Sequence, residues 1–514
     1  MRSRLLLSVL AAIALAACAA LPDKLPRPAP EYAVPAPGDS VFAPLEASIR
    51  AERGPDASGF LLLDSNDKGL SWRLALIDSA KHSLDLQYYV WFGDASGVLL
   101  MKRTVQAADR GVKVRIILDD LNSMLRDMTT PEIRDDLAAA INAHPNIEMR
   151  LFNAWKDRSL LGRGVDAIAE SDRLNRRMHN KVMIADNQAV ILGGRNIGDE
   201  YFGLNSQFNF HDLDVLGIGP VARQASAVFD RFWNSEWVIP VAALQIAATW
   251  QDFADLEGPA REQLAASPSV AVFPVDPQDW SASLAQLPGK LQAGTSRVHT
   301  DTPDHDAMNH HMPAAIRALM MTAQREVLIT NAYVIPGPQA IESMRELHAR
   351  GVKVRILTNS LASHDVPAVN SHYKAWRKPI LHSGAELYEI RPDAAVKASI
   401  ADTPPTQSRF MGLHTKAIVV DRKRVFIGSM NLDPRSAEIN SEMGVVVDSP
   451  SLARALAASM ERDMGEDNAW RVSLAPDASV RWTAGDRVLD TQPARSLWQR
   501  IEDVIFMAFP RDLY

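Results

Sequence analysis

Two short stretches of this 514-residue chain combine residue types that can supply a nucleophile, a proton carrier and fixed donors for developing negative charge. In the first, His179-Asn180-Lys181 is followed after four residues by Asp186, and after six more by Gly193-Gly194-Arg195-Asn196. The second repeats the spacing, with His414-Thr415-Lys416, Asp421 and Gly428-Ser429-Met430-Asn431. Residues two apart on an extended strand project to one face, so each stretch offers an imidazole beside an ammonium. Negative charge grows on the non-bridging oxygens of a phosphodiester under attack. Preplaced donors such as Lys181, Lys416, Asn196, Asn431 and Ser429 suit that charge. A neutral histidine can act as nucleophile while a second protonates the leaving alcohol and later deprotonates the acceptor. This arrangement requires neither a metal nor a cofactor.

Duplicated His-x-Lys…Asp motifs with a trailing Gly-Ser-x-Asn resemble those of the phospholipase D superfamily. The longer strings Arg173-Leu-Asn-Arg-Arg-Met-His-Asn-Lys and Gly193-Gly-Arg-Asn-Ile-Gly-Asp-Glu-Tyr-Phe look like the cardiolipin synthase C group of bacterial enzymes. The resemblance covers nearly the whole chain beyond residue 39. It implies phosphatidyl transfer through a phosphohistidine, with phosphatidylglycerol and phosphatidylethanolamine as candidate lipids. It also implies that Asp212 and Glu442 orient the histidines, with Asp214 as the alternative to Asp212, and that His179 is the nucleophile and His414 the acid and base. The residues alone do not order the two histidines. One position departs from the family: Gly194 stands where a serine is common, which makes the half-sites unequal. Asp186 and Asp421 are expected to pin turns or pair with basic neighbours rather than touch substrate. The rival readings are hydrolysis at the same site, including nuclease action, and a non-catalytic lipid-binding envelope lipoprotein.

The elements that position these residues are also duplicated. Gly111-Val-Lys-Val-Arg-Ile-Ile-Leu returns as Gly351-Val-Lys-Val-Arg-Ile-Leu, each copy closing a helical pattern, Ser96 to Arg110 or Pro338 to Arg350. Apolar strand candidates, Leu84 to Val90 and Val327 to Val334, precede these helices. Strand, helix, strand predicts a parallel unit in each half. The expected fold is therefore α/β, with two similar phospholipase-D-type lobes. Each is a mixed, largely parallel sheet flanked by helices, and the two are packed as a pseudo-twofold pair. The lobes are placed at 40–250 and 269–514, joined by 251–268, with Ala222 to Trp237 closing the first.

Arg2 and Arg4, the apolar run Leu5 to Ala17 and then Cys18 read as a lipoprotein signal over 1–18, with Cys18 lipidated. Cys18 is the only cysteine, so no intrachain disulfide can form. Residues 19–39 are rich in proline and read as a stalk. Ala19 favours the outer membrane by resemblance to the lipoprotein sorting rule, which places the protein in the periplasm of a bacterial envelope. A net charge of −7 argues against a protein that coats nucleic acid. Two lobes complete the site in one chain, so catalysis needs no oligomer. Arg158, Arg163, Arg173, Arg176 and Arg177 gather charge before His179, and Arg176 and Arg177 are the candidate headgroup ligands. His305, Asp306, His310 and His311 form a weak metal-like set, read as a polar loop. Tyr88, Tyr89 and Trp91 read as core more readily than as a lipid-binding wall. Leu361 to Tyr373 is a candidate cleft rim.

Overall fold

The repeated Gly-Val-Lys-Val-Arg-Ile string builds the same unit twice. The computed structural model describes residues 28–120, 131–155, 170–244, 248–255, 257–304 and 307–508. In the first half, strand Ser83–Tyr88 leads through helix Ala95–Asp109 to strand Lys113–Asp119. In the second, Glu326–Asn331 leads through Pro338–Ala349 to Lys353–Asn359. Both strand pairs are parallel, with Ser83 opposite Lys113 and Glu326 opposite Lys353. Just past these helices, Gly111 and Gly351 take φ of 95° and 77°. That left-handed turn strains any residue with a Cβ, so glycine stops the helix there.

Parallel pairing extends to one further strand in each lobe, Ile147–Phe152 and Glu386–Ile390. The other pairings of the large sheet are antiparallel, including Val182–Ala185 with Ala189–Gly193 and Lys416–Val420 with Arg424–Gly428. The α/β class and the two similar lobes stand, but the sheets are mixed rather than largely parallel. The reason is local. Each His-x-Lys segment feeds a strand that returns through a tight hairpin, which only antiparallel strands allow. Asp186 and Asn187 take φ of 51° and 53°, and Asp421 and Arg422 take 54° and 53°, as a primed hairpin turn requires. The Asp186 carboxylate also accepts from the backbone amides of Lys81, His82 and Ser83. Asp421 does the same for Gln324, Arg325 and Glu326. Each motif aspartate thus locks its hairpin to the start of the parallel unit.

The sequence did not reveal how closely the halves merge. Strand Ala57–Leu63 of the first lobe pairs with Gln292–Thr300, which in turn pairs with Met443–Asp448 of the second. A single 18-stranded sheet results among the described residues. Val182, Ile184 and Leu192 share one apolar core with Ala417, Val419, Ile427 and Val445, under helices Pro220–Trp233 and Pro450–Asp463. A buried aliphatic side chain contributes on the order of 1.5–3 kcal/mol. Pulling the lobes apart would therefore expose more apolar surface than a typical net stability of about 5–15 kcal/mol can offset. The segment expected as a connection folds into helices Trp250–Ala254 and Glu257–Ala265, which lie against helices Pro131–Asn142 and Ala95–Asp109 of the first lobe. No helix among the described residues is long and apolar enough to cross a membrane.

Candidate active site

His179 and His414 stand just ahead of strands Val182–Ala185 and Lys416–Val420, each held at two points by the opposite lobe. The backbone amide of His179 donates to Ser441 O at 2.9 Å, and that of His414 to His211 O at 2.8 Å. The side chain that follows each of those acceptors then takes the ring. His179 Nδ1 meets the Glu442 carboxylate at 2.9 and 3.0 Å, and His414 Nδ1 meets Asp212 Oδ2 at 2.6 Å. Both carboxylates named from the sequence are therefore in contact with histidines, but in crossed fashion, each serving the imidazole of the other lobe. With Nδ1–H assigned toward the carboxylate, each ring presents Nε2 as its other nitrogen.

Lys181 Nζ donates to His179 O at 2.7 Å, and Lys416 Nζ donates to His414 O. Both lysines are buried, and burial lowers both ammonium groups, Lys181 far below the ordinary value and Lys416 to about 8. Asn196 Nδ2 donates to the Tyr201 hydroxyl at 2.9 Å. The buried side-chain carbonyls of Asn196 and Asn431 have no partner among the described residues. Unsatisfied acceptors at matching positions of the two motifs suit a hydroxyl-bearing ligand.

Ser429 and Gly194 occupy equivalent places, and the structure accounts for their difference. Ser429 Oγ donates to Glu442 Oε2 at 2.5 Å, bracing the carboxylate that holds His179. In the other half-site Asp212 Oδ1 accepts from the amide of Leu213 at 2.8 Å, and a Cβ on Gly194 would lie 2.2 Å from that oxygen. The shorter aspartate folds back into the space that a serine would fill.

Burial drives His179 well below the ordinary imidazole value, and the Lys181 and Lys416 charges add to this. Burial also lifts the Glu442 carboxyl well above its usual range. His414 is likewise lowered by burial and by Lys416, against the pull of Asp212. For Asp212, burial acts upward, but the His414 ring and Lys416 more than reverse it and leave the carboxyl low.

Other candidates fall elsewhere. Asp214 binds Arg73 and Arg195 at 2.9 and 3.1 Å and touches neither catalytic candidate ring. Arg177 is fully buried, with Nη1 3.3 Å from Asp119, instead of lining an open mouth. Arg176 sits with its guanidinium 6.0 Å above the Trp237 ring. Tyr88 is core and accepts from Arg73, whereas Tyr89 lies 5.1 Å from the His179 ring and 5.2 Å from Lys181 Nζ. The signal over 1–18 with Cys18, and Arg158, Arg163, His305 and Asp306, lie outside the described residues. Among the described residues no group of His, Cys, Asp and Glu is arranged to hold a metal ion.

Sequence reasoning missed Tyr201, Phe210 and Asp301, and placed Asp365 only within the candidate cleft rim Leu361 to Tyr373. Tyr201 and Phe210 place their rings 5.2 and 4.8 Å from His414. Asp301 accepts from the Glu442 amide at 2.9 Å and so fixes the backbone of that carboxylate. Asp365, held by the Tyr333 hydroxyl at 2.7 Å, stays anionic near His414; burial raises it, but His364 and Tyr333 bring it to about 2. Tyr201 carried a signal, since it lies in the string that follows Asn196, and Asp365 lies in the segment expected to rim the cleft. An apolar cavity of about 610 Å³, lined by Trp91, Met101, Leu118 and Leu151 among others, reaches Asp119. That carboxylate accepts from the amide of Met178, the neighbour of His179.

The fold and the paired half-sites are those of a phospholipase-D-like protein. The family described as cardiolipin synthase, PLD-like domain, matches residues 74–233 and 316–464, and the chain belongs to it. It is 34% identical to cardiolipin synthase C of Escherichia coli K12 over 87% of this chain and 94% of that protein. It is 24% identical to cardiolipin synthase 1 of Bacillus anthracis over 84% and 70% of the respective chains. Among solved structures, phosphatidylserine synthase of Haemophilus influenzae Rd KW20 shares the fold, with a TM-score of 0.53 at 13% identity, covering 81% of this chain and 91% of that one.

Proposed function

We propose that this protein moves a phosphatidyl group from one phospholipid to the hydroxyl of another, making cardiolipin from phosphatidylglycerol. The observation that carries this reading is the crossed pairing of His179 with Glu442 and His414 with Asp212, which orients two imidazoles at one cleft. Relatives named as cardiolipin synthases supply the substrate class.

In the first step Nε2 of neutral His179 attacks phosphorus, and the bond from phosphorus to the donor headgroup oxygen breaks. His414 gives its Nε2 proton to that oxygen, so the headgroup leaves as a neutral alcohol. In the second step His414 takes the proton of the acceptor lipid hydroxyl as its oxygen attacks phosphorus. The phosphorus–nitrogen bond breaks and His179 is restored. Lys181, Lys416 and the amide of Asn431 stabilise charge on the non-bridging oxygens.

Electrostatics support this division of labour. His179 is driven further toward neutrality than His414, and His414 faces the anions of Asp212 and Asp365. The apolar cavity beside Asp119 suits an acyl chain of the donor and favours a lipid over a nucleic acid. Acylated Cys18 and the proline-rich stalk tether the protein to a bacterial membrane, the outer membrane by the identity of Ala19, and raise the local lipid concentration.

The test is mass spectrometry of lipids after incubation with vesicles of phosphatidylglycerol and phosphatidylethanolamine, alongside His179→Ala and His414→Ala. Cardiolipin formed by the wild type alone supports the reading. Phosphatidic acid without cardiolipin makes the enzyme a hydrolase, and no histidine-dependent change removes the lipid reading altogether.

A further inference from the structure

Helix Leu497–Ile505 is folded inside out. Its polar residues face the protein. Gln499 Nε2 donates to Leu361 O at 2.5 Å, and the buried Asp503 carboxylate accepts from Asn370 Nδ2 at 2.6 Å and Lys374 Nζ at 2.7 Å. Its apolar residues face outward, with Leu497 74%, Trp498 62%, Val504 60% and Ile505 52% exposed, flanked by Ile501 and Met507. A surface helix normally turns its apolar stripe inward, and contiguous exposed apolar side chains mark an interaction surface. The inward contacts explain why the helix does not roll over. Rolling would bury the apolar stripe at the cost of stranding a carboxylate that now satisfies an amide and an ammonium.

We infer that this outward face is a membrane-docking surface that inserts into the acyl boundary of a phospholipid bilayer. The choice of a lipid surface as occupant rests on the substrate class proposed above and on the place of the helix. Its inward bonds end on Leu361, Asn370 and Lys374, in the segment that carries His364 and Asp365. Arg495, just ahead of the helix, donates to His364 O at 3.3 Å and stacks over Phe410 at 3.8 Å. The patch is thereby tied to the rim of the His414 half-site. Trp498 has the amphipathic ring that suits the headgroup boundary, and Arg495 and Arg500 at the margin suit anionic headgroups. Docking here sets the cleft against the bilayer independently of any acyl tether.

The experiment uses the mature chain from residue 18 with Cys18→Ala, so that neither the apolar run Leu5 to Ala17 nor an acyl anchor contributes. An environment-sensitive dye on Val504→Cys reports insertion, and sedimentation with phosphatidylglycerol–phosphatidylethanolamine vesicles reports binding. We expect a blue shift of the dye on vesicle addition. Introducing Leu497→Glu, Trp498→Glu and Ile505→Glu together should weaken sedimentation by more than about tenfold without changing the thermal melt, since these side chains are exposed. Unchanged sedimentation by that triple variant overturns the inference. So does a dimer seen by light scattering that the triple variant abolishes while vesicle binding persists. His179→Ala separates this inference from the catalytic reading: it should keep full vesicle binding, and a wild type that binds vesicles yet makes no new lipid sinks only the proposed activity.

Discussion

The two half-sites share one strand-turn-strand pattern and differ in what stands behind each histidine. His179 has the longer Glu442, braced by Ser429, with Tyr89 beside the ring. His414 has the shorter Asp212, no serine, the rings of Tyr201 and Phe210, and Asp365 nearby. Burial lifts Glu442 toward its neutral form, whereas Asp212 and Asp365 remain anions. An imidazole between standing anions holds a proton better than one beside a carboxyl that burial has made reluctant to ionise. The duplication therefore supplies two equivalent imidazoles, and the residues behind them make their surroundings unequal in the sense that the proposed division into nucleophile and proton carrier requires.

The largest expected effect tests that division directly. His179→Ala should lose transfer by about 10⁴-fold or more, because no covalent step remains. His414→Ala should fail equally with natural donors. With a donor whose leaving group needs no proton, however, it should accumulate a phosphatidyl adduct on His179 that intact-protein mass spectrometry detects. An adduct formed by the His179 variant instead would reverse the assignment.

The orienting carboxylates come next. Glu442→Gln and Asp212→Asn should each slow turnover on the order of 10²-fold, since they disturb the tautomer and charge of a ring without removing it. The comparison predicts different signatures. The Asp212→Asn defect should shrink when the donor has a good leaving group, because His414 then has no proton to give. The Glu442→Gln defect should not. Equal defects with every donor would mean that the two half-sites are functionally interchangeable.

How much of this was legible without coordinates follows from what distance along the chain conveys. The histidines, lysines and asparagines sit at fixed offsets on one hairpin each, so spacing alone brought them together. Gly111 and Gly351 likewise marked the helix ends that they form. The crossed carboxylates are separated from their rings by 263 and 202 residues, so no local pattern could assign them. The same holds for Asp301 and Asp365. The sheets were read as largely parallel because the βαβ repeat is visible as a repeat, whereas the hairpin strands behind the motifs read only as apolar runs. Arg177 looked like a headgroup ligand because basic residues near a motif suggest a mouth. Its partner Asp119 closes a strand 58 residues away.

A smaller effect follows from Lys416, which burial brings down to about 8. On the proposed mechanism Lys416 below that pH is a cation that stabilises phosphoryl charge, and above it the charge is lost. The kcat/KM of the free enzyme should therefore fall as pH rises through about 8, by up to tenfold per unit. Lys416→Arg keeps its charge to far higher pH. This variant should be slower overall but show no alkaline limb in that range. An alkaline limb retained at the same pH in the arginine variant would assign the titration to another group.

The smallest effect concerns Gly194. Adding a serine there places a Cβ 2.2 Å from Asp212 Oδ1, so the carboxylate must swing away from His414 or the turn must shift. Gly194→Ser alone should cost roughly tenfold in turnover and about 1–2 kcal/mol in stability. In the other lobe a serine coexists with the longer glutamate because that carboxylate extends past the hydroxyl to reach its ring. Pairing Gly194→Ser with Asp212→Glu should therefore recover part of what each change loses alone, with a coupling of about 1 kcal/mol in a double-mutant cycle of melting and turnover. Recovery would show that glycine with aspartate and serine with glutamate are two matched solutions to holding one imidazole. Strict additivity would instead mean that the inequality of the half-sites arises beyond these contacts, from Asp365 and the aromatic rings around His414.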